Sequence, residues 1–341
     1  MKKIIVDMMG GDLAPVETVK GVALAAKELS AELVLVGDRE QLLATAAQEG
    51  ISLDGFEIVH ASQVIAMEDD PVAVMRQKSD SSMSVGLRLL AEARGDAFVS
   101  SGNTGALFTG ANLIVRRISG LRRPAIAALL PMDPPVLLLD SGANVSVTPD
   151  YLEQFAIMGS AYMKKIHGVE RPRVGLLNNG AEECKGTELQ IAAYHLLSEN
   201  PDIYFVGNVE GNRVMNDACD VLVTDGFTGN VLLKTMEGMG GMMLKTVKQL
   251  FMTNLRTKIG ALFVKNQVST VKKKFDTREF GGAPILGIAK PVIKAHGSSD
   301  AKAFKNAIRQ ALAAAENDLV EEIASAMAAH AARCKAAEEG E

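Results

Sequence analysis

Short apolar runs alternate with longer amphipathic stretches along most of this chain. The runs have the length and composition of buried strands, and they are Ile4–Val6, Leu33–Val36, Phe56–Val59, Ala97–Val99, Ile126–Leu130, Val136–Leu139, Val174–Leu177, Ile203–Val206 and Val221–Val223. The helical patterns are clearest in Val16–Leu29, Arg39–Gln48, Ser84–Ala93, Tyr151–Ile166 and Glu188–Glu199. Because parallel strands need crossover connections, this alternation predicts an α/β fold with a mainly parallel sheet covered by helices on both faces.

Composition limits the class of protein further. The chain is 48% hydrophobic with 4% aromatic residues and no Trp, a mixture that suits helices packed on a parallel sheet. We expect one catalytic domain over residues 1–341, because no repeat or low-complexity linker divides the sequence. The net charge of −5 argues against a nucleic-acid partner. Three widely spaced cysteines without zinc spacing indicate reduced thiols in a cytoplasmic protein with no metal site.

Four predicted strands run into glycine-rich turns. These turns are Asp7–Asp12, Ser100–Ala106, Asp140–Asn144 and Asp225–Asn230. Glycine lets the backbone approach a ligand closely, and the N–H groups at a helix start attract anions. Four such turns at one edge of the sheet would form a phosphate or carboxylate site. None contains Gly-Lys-Ser/Thr or GxGxxG, so no nucleotide cofactor is indicated.

Two further segments carry candidate side chains. Lys185 follows the strand Val174–Leu177 and is placed to neutralise phosphate or polarise a carbonyl, although a lone lysine there is also typical of a solvated helix start. His296 lies in Lys294–Asp300, before the last long helix. It is a candidate acid/base or phosphate donor, and the alternative is a histidine that only packs in its loop.

Taken in order, these motifs resemble the phosphate acyltransferase family of bacterial phospholipid synthesis, the PlsX family. Three more segments complete the series, Glu210–Asn212, Gly281–Pro284 and Ala295–Ser299. The resemblance implies a three-layer α/β/α sandwich like phosphotransacetylases and isocitrate dehydrogenases, acting as a homodimer without a cofactor. It also implies acyl-[acyl carrier protein] and orthophosphate as substrates, and an acyl phosphate product used for glycerol-3-phosphate acylation.

The resemblance matches Lys185 and Asn230 to positions that the family uses in catalysis. The turns add the expected phosphate or substrate contacts, which are Gly10, Gly11, Asp12, Ser101, Gly102, Asn103, Thr104, Gly105, Asp140, Ser141, Asn144, His296 and Ser298. The basic run Arg76–Ser79 is a weaker candidate, since Gln77 stands where the family commonly has a second lysine. The expected mechanism is direct attack of phosphate on the thioester, with the protein supplying position and charge.

A basic, Met-rich segment interrupts the strand–helix rhythm at about residues 238–275. From Lys234 to Arg278 the chain has ten basic and two acidic residues, a net charge of +8 in a protein of −5. Apolar residues recur at helical spacing, which predicts an amphipathic hairpin bent near Gly260. Residues expected to contact the carrier protein or an anionic membrane are Leu255, Ile259, Leu262, Lys272, Lys273 and Lys274. The alternative is an apolar stripe packed at a dimer interface.

Three rival interpretations stay open on the sequence. The first keeps acyl transfer but passes through a covalent acyl group on Cys184, whose thiol a neighbouring lysine would activate. The second is a decarboxylating NAD-dependent dehydrogenase of related fold, which requires a nucleotide site and a metal-binding carboxylate cluster. The third is a non-catalytic adaptor for membrane or carrier protein. With the expected activity, the enzyme would attach peripherally to membranes and also meet the glycerol-3-phosphate acyltransferase.

Overall fold

The computed structural model describes residues 1–254, 256–261, 263–264 and 277–340. Its strands are β1 (Lys3–Asp7), β2 (Glu32–Gly37), β3 (Glu57–His60), β4 (Ala97–Ser100), β5 (Ala125–Leu130), β6 (Val136–Leu139), β7 (Arg173–Asn178), β8 (Tyr204–Glu210), β9 (Val221–Val223), β10 (Gly282–Leu286) and β11 (Val292–Ala295). Its helices are α1 (Val16–Glu28), α2 (Arg39–Gln48), α3 (Ser82–Ala91), α4 (Thr104–Gly110), α5 (Pro149–His167), α6 (Glu188–Glu199), α7 (Gly226–Met252), α8 (Ala301–Glu316) and α9 (Leu319–Gly340). The predicted α/β class is confirmed.

All of these strands join one sheet, in the order β3-β2-β1-β4-β11-β10-β5-β6-β9-β7-β8. The first five strands of that order are parallel to one another, and so are the last four. Between these two blocks, β10 and β5 are antiparallel to each other and to their outer neighbours. Three reversals separate the blocks, so the two blocks run in opposite directions.

Apolar burial on both faces explains why the strands read as unbroken hydrophobic runs. In β1, Ile4 packs with Val19 of α1 and Phe304 of α8 on one face of the sheet. The next residue, Ile5, packs with Leu87 of α3 on the other face, as the two-residue period of a strand requires. Each fully buried side chain of this size contributes about 1.5–3 kcal/mol, and the helices are thereby held on both faces.

Polar N-caps begin three of the helices that follow the candidate turns. The Asn103 side chain accepts from Ala106 N at the start of α4, Asp225 accepts from Thr228 N at the start of α7, and Asp300 accepts from Ala303 N at the start of α8. Each cap satisfies a helix-start N–H that has no partner within the helix. The strand-to-helix turns are therefore fixed locally.

The basic segment differs from its prediction in two respects. The helix α7 begins at Gly226, well before residue 238, and it ends at Met252. The break falls at Thr253–Asn254, while residues 256–261 are helical through Gly260. Of the predicted contact residues, Ile259 is exposed. The remaining five lie outside the described residues, and they are Leu255, Leu262, Lys272, Lys273 and Lys274.

Most of α7 projects from the sheet. Only Gly226 and Gly229 of this helix are buried, and its second half exposes an apolar series that includes Met243, Val247 and Leu250. Among the helices that the structure describes, none has the length and apolar character needed to cross a membrane.

Candidate functional site

The candidate turns separate into two groups. The first cluster is formed by Asp7–Asp12, Ser100–Ala106 and Lys294–Asp300, at the carboxyl ends of β1, β4 and β11. The second cluster is formed by Asp140–Asn144, Asn178–Gly186 and Asp225–Asn230, at the carboxyl ends of β6, β7 and β9. The expectation that four turns share one sheet edge is wrong, because the two blocks of strands run in opposite directions.

The buried side chain of Asp7 holds the first cluster together. Its buried carboxylate accepts from Ser100 Oγ at 2.6 Å and from the N–H groups of Met9 and Gly10, each at 3.1 Å. Burial raises the pKa of Asp7, and the hydrogen bond from Ser100 opposes that rise. The Ser82 side chain of α3 is a further hydrogen-bond partner, so Asp7 holds β1 against β4 and α3 and is not presented to a ligand.

The glycine turns of the first cluster meet backbone to backbone. A Cβ on Gly10 would lie 2.8 Å from Gly102 N, closer than real side chains come, so only glycine fits. Ser101 Oγ donates to Gly10 O at 2.6 Å, and Asp12 N donates to Gly297 O at 2.8 Å. Gly11 has a φ of +102°, which glycine tolerates. The main chains of the three turns therefore pack directly against one another, and turns of this kind can present N–H groups to an anion.

Asn103 is fully used by the protein. Its Oδ1 accepts from Ala106 N at 3.0 Å. Its Nδ2 donates to Met67 O at 2.8 Å and to the carbonyls of Ala66 and Asp69, each at 3.3 Å. These bonds hold the loop 66–69 against α4, and the contact between the Asn103 side chain and phosphate stays a prediction.

The basic run near residue 78 also serves the loop 66–69. Lys78 Nζ lies 2.5 Å from Asp69 Oδ2 and donates to Val64 O at 2.9 Å. Its ammonium is therefore committed to the fold. Thr104 is exposed at the start of α4, and a Cβ on Gly105 would lie 2.8 Å from Pro71 Cγ. Thr104 keeps a free side chain, whereas Gly105 is needed for close packing.

His296 is held as a neutral donor. Its Nδ1 accepts from Ser298 N at 3.2 Å and lies 2.9 Å from Ser298 Oγ. Because a backbone N–H can only donate, the proton of the neutral ring must sit on Nε2. Burial lowers the pKa of His296, and the charges of Lys234 and Lys294 lower it further. At neutral pH the ring therefore offers one uncharged N–H rather than a positive charge.

Lys294 was not predicted as a site residue. Its side chain is 8% exposed, and its Nζ donates to the carbonyl of Ala295. Burial lowers the pKa of Lys294 to about 8, although the charges of Asp12 and Asp7 act in the opposite direction. The only signal in the sequence was a lysine between the apolar residues Ile293 and Ala295.

Asp140 organises the second cluster. Its Oδ1 accepts from the N–H groups of Ile126, Gly142 and Ala143, each at 3.1 Å. Its Oδ2 accepts from Asn144 N at 2.6 Å and from Asn144 Nδ2 at 2.8 Å. A carboxylate with five internal donors is saturated. Asp140 therefore forms the turn, and its contact with substrate stays a prediction.

The other two predicted residues of this turn are committed in the same way. Ser141 Oγ donates to Ile126 O at 2.9 Å, and Asn144 Nδ2 also donates to Pro124 O at 2.8 Å. Both side chains are buried. They fasten the turn to the start of β5, and their phosphate contacts stay predictions.

The first turn of α7 presents Asn230. Gly226 N donates to Asn144 O at 2.8 Å, so the helix start is bonded directly to the Asp140–Asn144 turn. Asn230 is exposed, and its Cβ lies 3.7 Å from where a Cβ on Gly142 would be. Its amide is thus displayed over a glycine, where a ligand has room.

Lys185 is displayed by the turn after β7. Asn178 Nδ2 donates to Lys185 O at 3.0 Å, and Gly186 closes the turn with a φ of +96°. Both Lys185 and the neighbouring Cys184 are exposed. Among the residues that the structure describes, no carboxylate lies within 4.0 Å of Lys185 Nζ. Its charge is therefore available to a ligand.

The helix α7 connects the two clusters. Asn230 and Lys234 are four residues apart, so they lie on the same face of the helix, about one turn from each other. The Lys234 charge acts on Lys294 and His296 of the first cluster, and Lys234 Nζ pairs with Glu237 at 2.8 Å. The helix thus begins in the second cluster, and the charge on its third turn acts on the first.

Solved structures share this fold at low sequence identity. A phosphotransacetylase from Streptococcus pyogenes superposes with a TM-score of 0.64 at 15% identity, covering 94% of each chain. A 4-hydroxythreonine-4-phosphate dehydrogenase from Klebsiella pneumoniae gives a TM-score of 0.57 at 13% identity, covering 92% of this chain and 100% of its own. The predicted fold class is confirmed.

Sequence comparison defines the family. A profile described as fatty acid synthesis protein matches residues 2–322. A phosphate acyltransferase from Thermoanaerobacterium thermosaccharolyticum is 46% identical over 94% of this chain and 95% of its own. One from Brevibacillus brevis is 48% identical over 94% and 96%. The chain therefore belongs to the phosphate acyltransferases of the fatty acid synthesis protein family.

Proposed function

We propose that this phosphate acyltransferase moves a long-chain fatty acyl group from acyl-[acyl carrier protein] to inorganic phosphate. The product is an acyl phosphate for phospholipid synthesis. The observation that carries the proposal is the first cluster, where Gly10, Gly11 and Gly102 bring the backbones of two turns into contact beside the His296 N–H. The main-chain N–H groups of such turns suit a small oxyanion.

The chemical step is a direct displacement. A phosphate oxygen adds to the thioester carbonyl, a tetrahedral oxyanion forms, and the carbon–sulfur bond then breaks to release the carrier thiolate. Phosphate is already a nucleophile at neutral pH, so the protein need only position the reactants and stabilise charge. No group of the protein has to be acylated.

Lys185 and Asn230 are assigned to the oxyanion. Both are exposed at the carboxyl ends of neighbouring strands, β7 and β9. Lys185 neutralises the developing charge, and Asn230 donates a hydrogen bond to the carbonyl oxygen. Asn230 and Lys234 lie on the same face of α7, and the Lys234 charge acts on His296 of the first cluster. This supports the action of Lys185 and Asn230 on phosphate held in that cluster.

The reaction is tested with purified protein, palmitoyl-[acyl carrier protein] and inorganic phosphate. Acyl phosphate is trapped with hydroxylamine and measured as the hydroxamate. We expect hydroxamate only when both substrates are present. A folded enzyme that forms none, or that transfers the acyl group only to an acceptor other than phosphate, would refute the proposal.

Replacing Cys184 by serine is expected to leave most of the activity intact, because phosphate attacks the thioester without an acyl-enzyme. The exposed thiol lies next to Lys185 and is the nearest rival nucleophile. Activity of Cys184→Ser is measured by hydroxamate formation, with Cys334→Ser as the matched exposed control. An inactive variant, or an acyl group on Cys184 in mass spectra, would establish the covalent route instead.

We further propose that the projecting part of α7 and the segment after it dock the acidic carrier protein and an anionic membrane. The second half of α7 is exposed and basic, and Phe263 beyond it is 81% exposed. Basic residues contribute roughly 1 kcal/mol each near anionic lipid, and buried apolar tips add to this. Such docking would deliver acyl phosphate to the glycerol-3-phosphate acyltransferase. A homodimer is the other proposed use of this apolar face.

Polar replacement of Leu255, Ile259 and Leu262 is expected to release the enzyme from anionic vesicles while its chemistry survives. The readout is co-sedimentation, with Leu43→Gln as a control because Leu43 on the helix α2 is 45% exposed, close to the 50% of Ile259. Changing Lys272, Lys273 and Lys274 to glutamate should raise KM for the carrier protein and flatten its salt dependence. Unchanged vesicle binding and unchanged KM for the carrier protein would favour a role of this segment at a dimer interface instead.

A further inference from the structure

We propose that Lys294 is the cation that holds the phosphate substrate in the first cluster. The inference rests on the proposed function and goes beyond it, since it names a residue of β11 that neither the glycine turns nor the family resemblance pointed to. It is argued from burial, from the partners of the ammonium group, and from the position of Lys294 in the sheet.

Lys294 is a buried cation without a contacting anion. Among the residues that the structure describes, it is the one lysine or arginine in the buried class, and no carboxylate lies within 4.0 Å of its Nζ. Its ammonium has three N–H donors, of which one is used by the carbonyl of Ala295. Lysines are almost never buried unless they are paired, so this side chain calls for an anionic partner.

The sheet places this side chain in the first cluster. Lys294 is aligned with Ser100 across the parallel strands β11 and β4, so it lies beside the Ser100–Ala106 turn. By strand alternation it shares a face with Val292, which packs with Leu107 of α4. The charge of Lys234 of α7 also acts on Lys294. The ammonium is therefore near the carboxyl end of the strands, where ligands of open α/β sheets bind.

The neighbouring turn contains another donor that the protein leaves unsatisfied. Ser299 Oγ is buried and makes no hydrogen bond to the described residues, while Ser299 N donates to His296 O at 3.0 Å. With the His296 Nε2–H, the segment Lys294–Ser299 offers several donors of different kinds within a few residues. Phosphate has enough acceptor oxygens to satisfy them together.

The charged groups around Lys294 set its titration. Asp7 of β1 and Asp12 of the following turn favour its charged form, while Lys234 of α7 opposes it. His296 and Glu237 complete the titratable groups of this region. Asp7 is occupied by its own donors, so it does not pair with Lys294. Burial dominates and lowers the pKa of Lys294 to about 8, which leaves the ammonium charged at neutral pH and ready to gain from an anion.

The test is Lys294→Met, with Lys290→Met as the matched control at the opposite end of β11. Methionine keeps the length of the side chain and removes the charge. We expect KM for phosphate to rise about 10-fold or more, KM for the acyl donor to stay within about twofold, and the melting temperature to be unchanged or higher, because an apolar group suits the buried position. Wild-type KM for phosphate, or a lower melting temperature with both KM values raised, would overturn the assignment.

A pH profile adds a readout that a packing role would not move. Below a pH of about 8 the Lys294 ammonium is charged and attracts phosphate, and above it the neutral amine does not. In the wild type, KM for phosphate should therefore increase with pH above that value, and the increase should approach about tenfold per pH unit. In Lys294→Met this component should be absent. Equal slopes in both proteins would contradict the proposal.

Direct binding separates this inference from the reaction itself. Inorganic phosphate is titrated into the full-length protein without acyl donor and followed by calorimetry. Binding to the wild type and to Lys290→Met but not to Lys294→Met supports the inference even if acyl transfer fails, in which case the proposed function is wrong on its own. Equal binding to all three proteins overturns the inference whatever the assay of acyl transfer shows.

Discussion

Replacement of Lys185 by alanine is expected to lower kcat by about 10²-fold or more, the scale on which loss of one transition-state donor acts. The Lys185 side chain is exposed on a turn, so its removal should change the free energy of unfolding by no more than about 0.5 kcal/mol. If Lys185 stabilises the oxyanion and not the bound substrates, both KM values should change little.

The measurement is kcat from hydroxamate formation at saturating substrate, together with the melting temperature. Lys27→Ala is the matched control, because Lys27 is likewise exposed but lies on α1. Asn230→Ala should resemble Lys185→Ala, since it removes the second donor of the same oxyanion. Wild-type kcat in Lys185→Ala would remove this residue from the chemical step.

Gly229→Ala is expected to destabilise the protein by about 3 kcal/mol, at the upper end of overpacking effects. A Cβ at this position would overlap the backbone carbonyl of Asp140, far closer than any real side chain comes. The Asp140 carbonyl cannot move easily, because backbone hydrogen bonds donated by Asp140 N and Thr224 N join the ends of β6 and β9. The first turn of α7 would therefore lift from the Asp140–Asn144 turn.

The readout for Gly229→Ala is thermal unfolding, with a fall in the melting temperature of roughly 5–10 °C. Gly241→Ala tests the same change in the same helix, where nothing lies within 4 Å of the added Cβ. Since alanine is about 1 kcal/mol more favourable than glycine in a helix, this control should be neutral or stabilising. Equal effects at the two positions would show that α7 does not pack on Asp140 in this way.

The fold was predictable where burial makes a strand apolar throughout. The run Val136–Leu139 is such a strand, because helices cover both of its faces. The strands β10 and β11 escaped prediction, since Gly282, Pro284 and Lys294 interrupt their apolar pattern. Strand direction leaves no mark in local sequence, which is why the reversal between the two blocks was missed and one shared edge was expected.

The site was predictable in its backbone and less so in its side chains. Gly10 and Gly102 were expected to let the backbone approach a ligand, and in the structure they let two turns approach each other closely. Short polar side chains are equally suited to bind a ligand or to satisfy their own turn, so the internal roles of Asn103 and Asp140 required coordinates. Lys294 went unrecognised because a lysine in a strand is ordinarily a solvent-facing residue, and its burial follows only from the position of β11 within the sheet.

The insertion of β11 between β4 and β10 has a consequence for biosynthesis. The first block and the first cluster need residues from both ends of the chain, as in the bond from Ala301 N to Glu17 Oε2 across 284 positions. A ribosome adding 5–20 residues per second needs about 10–40 s to pass from β4 to β11. During that interval the nascent chain has β1 and β4 but lacks β11, so the edge of β4 that pairs with β11 in the fold stays open. A polypeptide truncated before Val292 would have the Asp140–Asn144 turn and α7 but would lack the Lys294–Asp300 part of the first cluster.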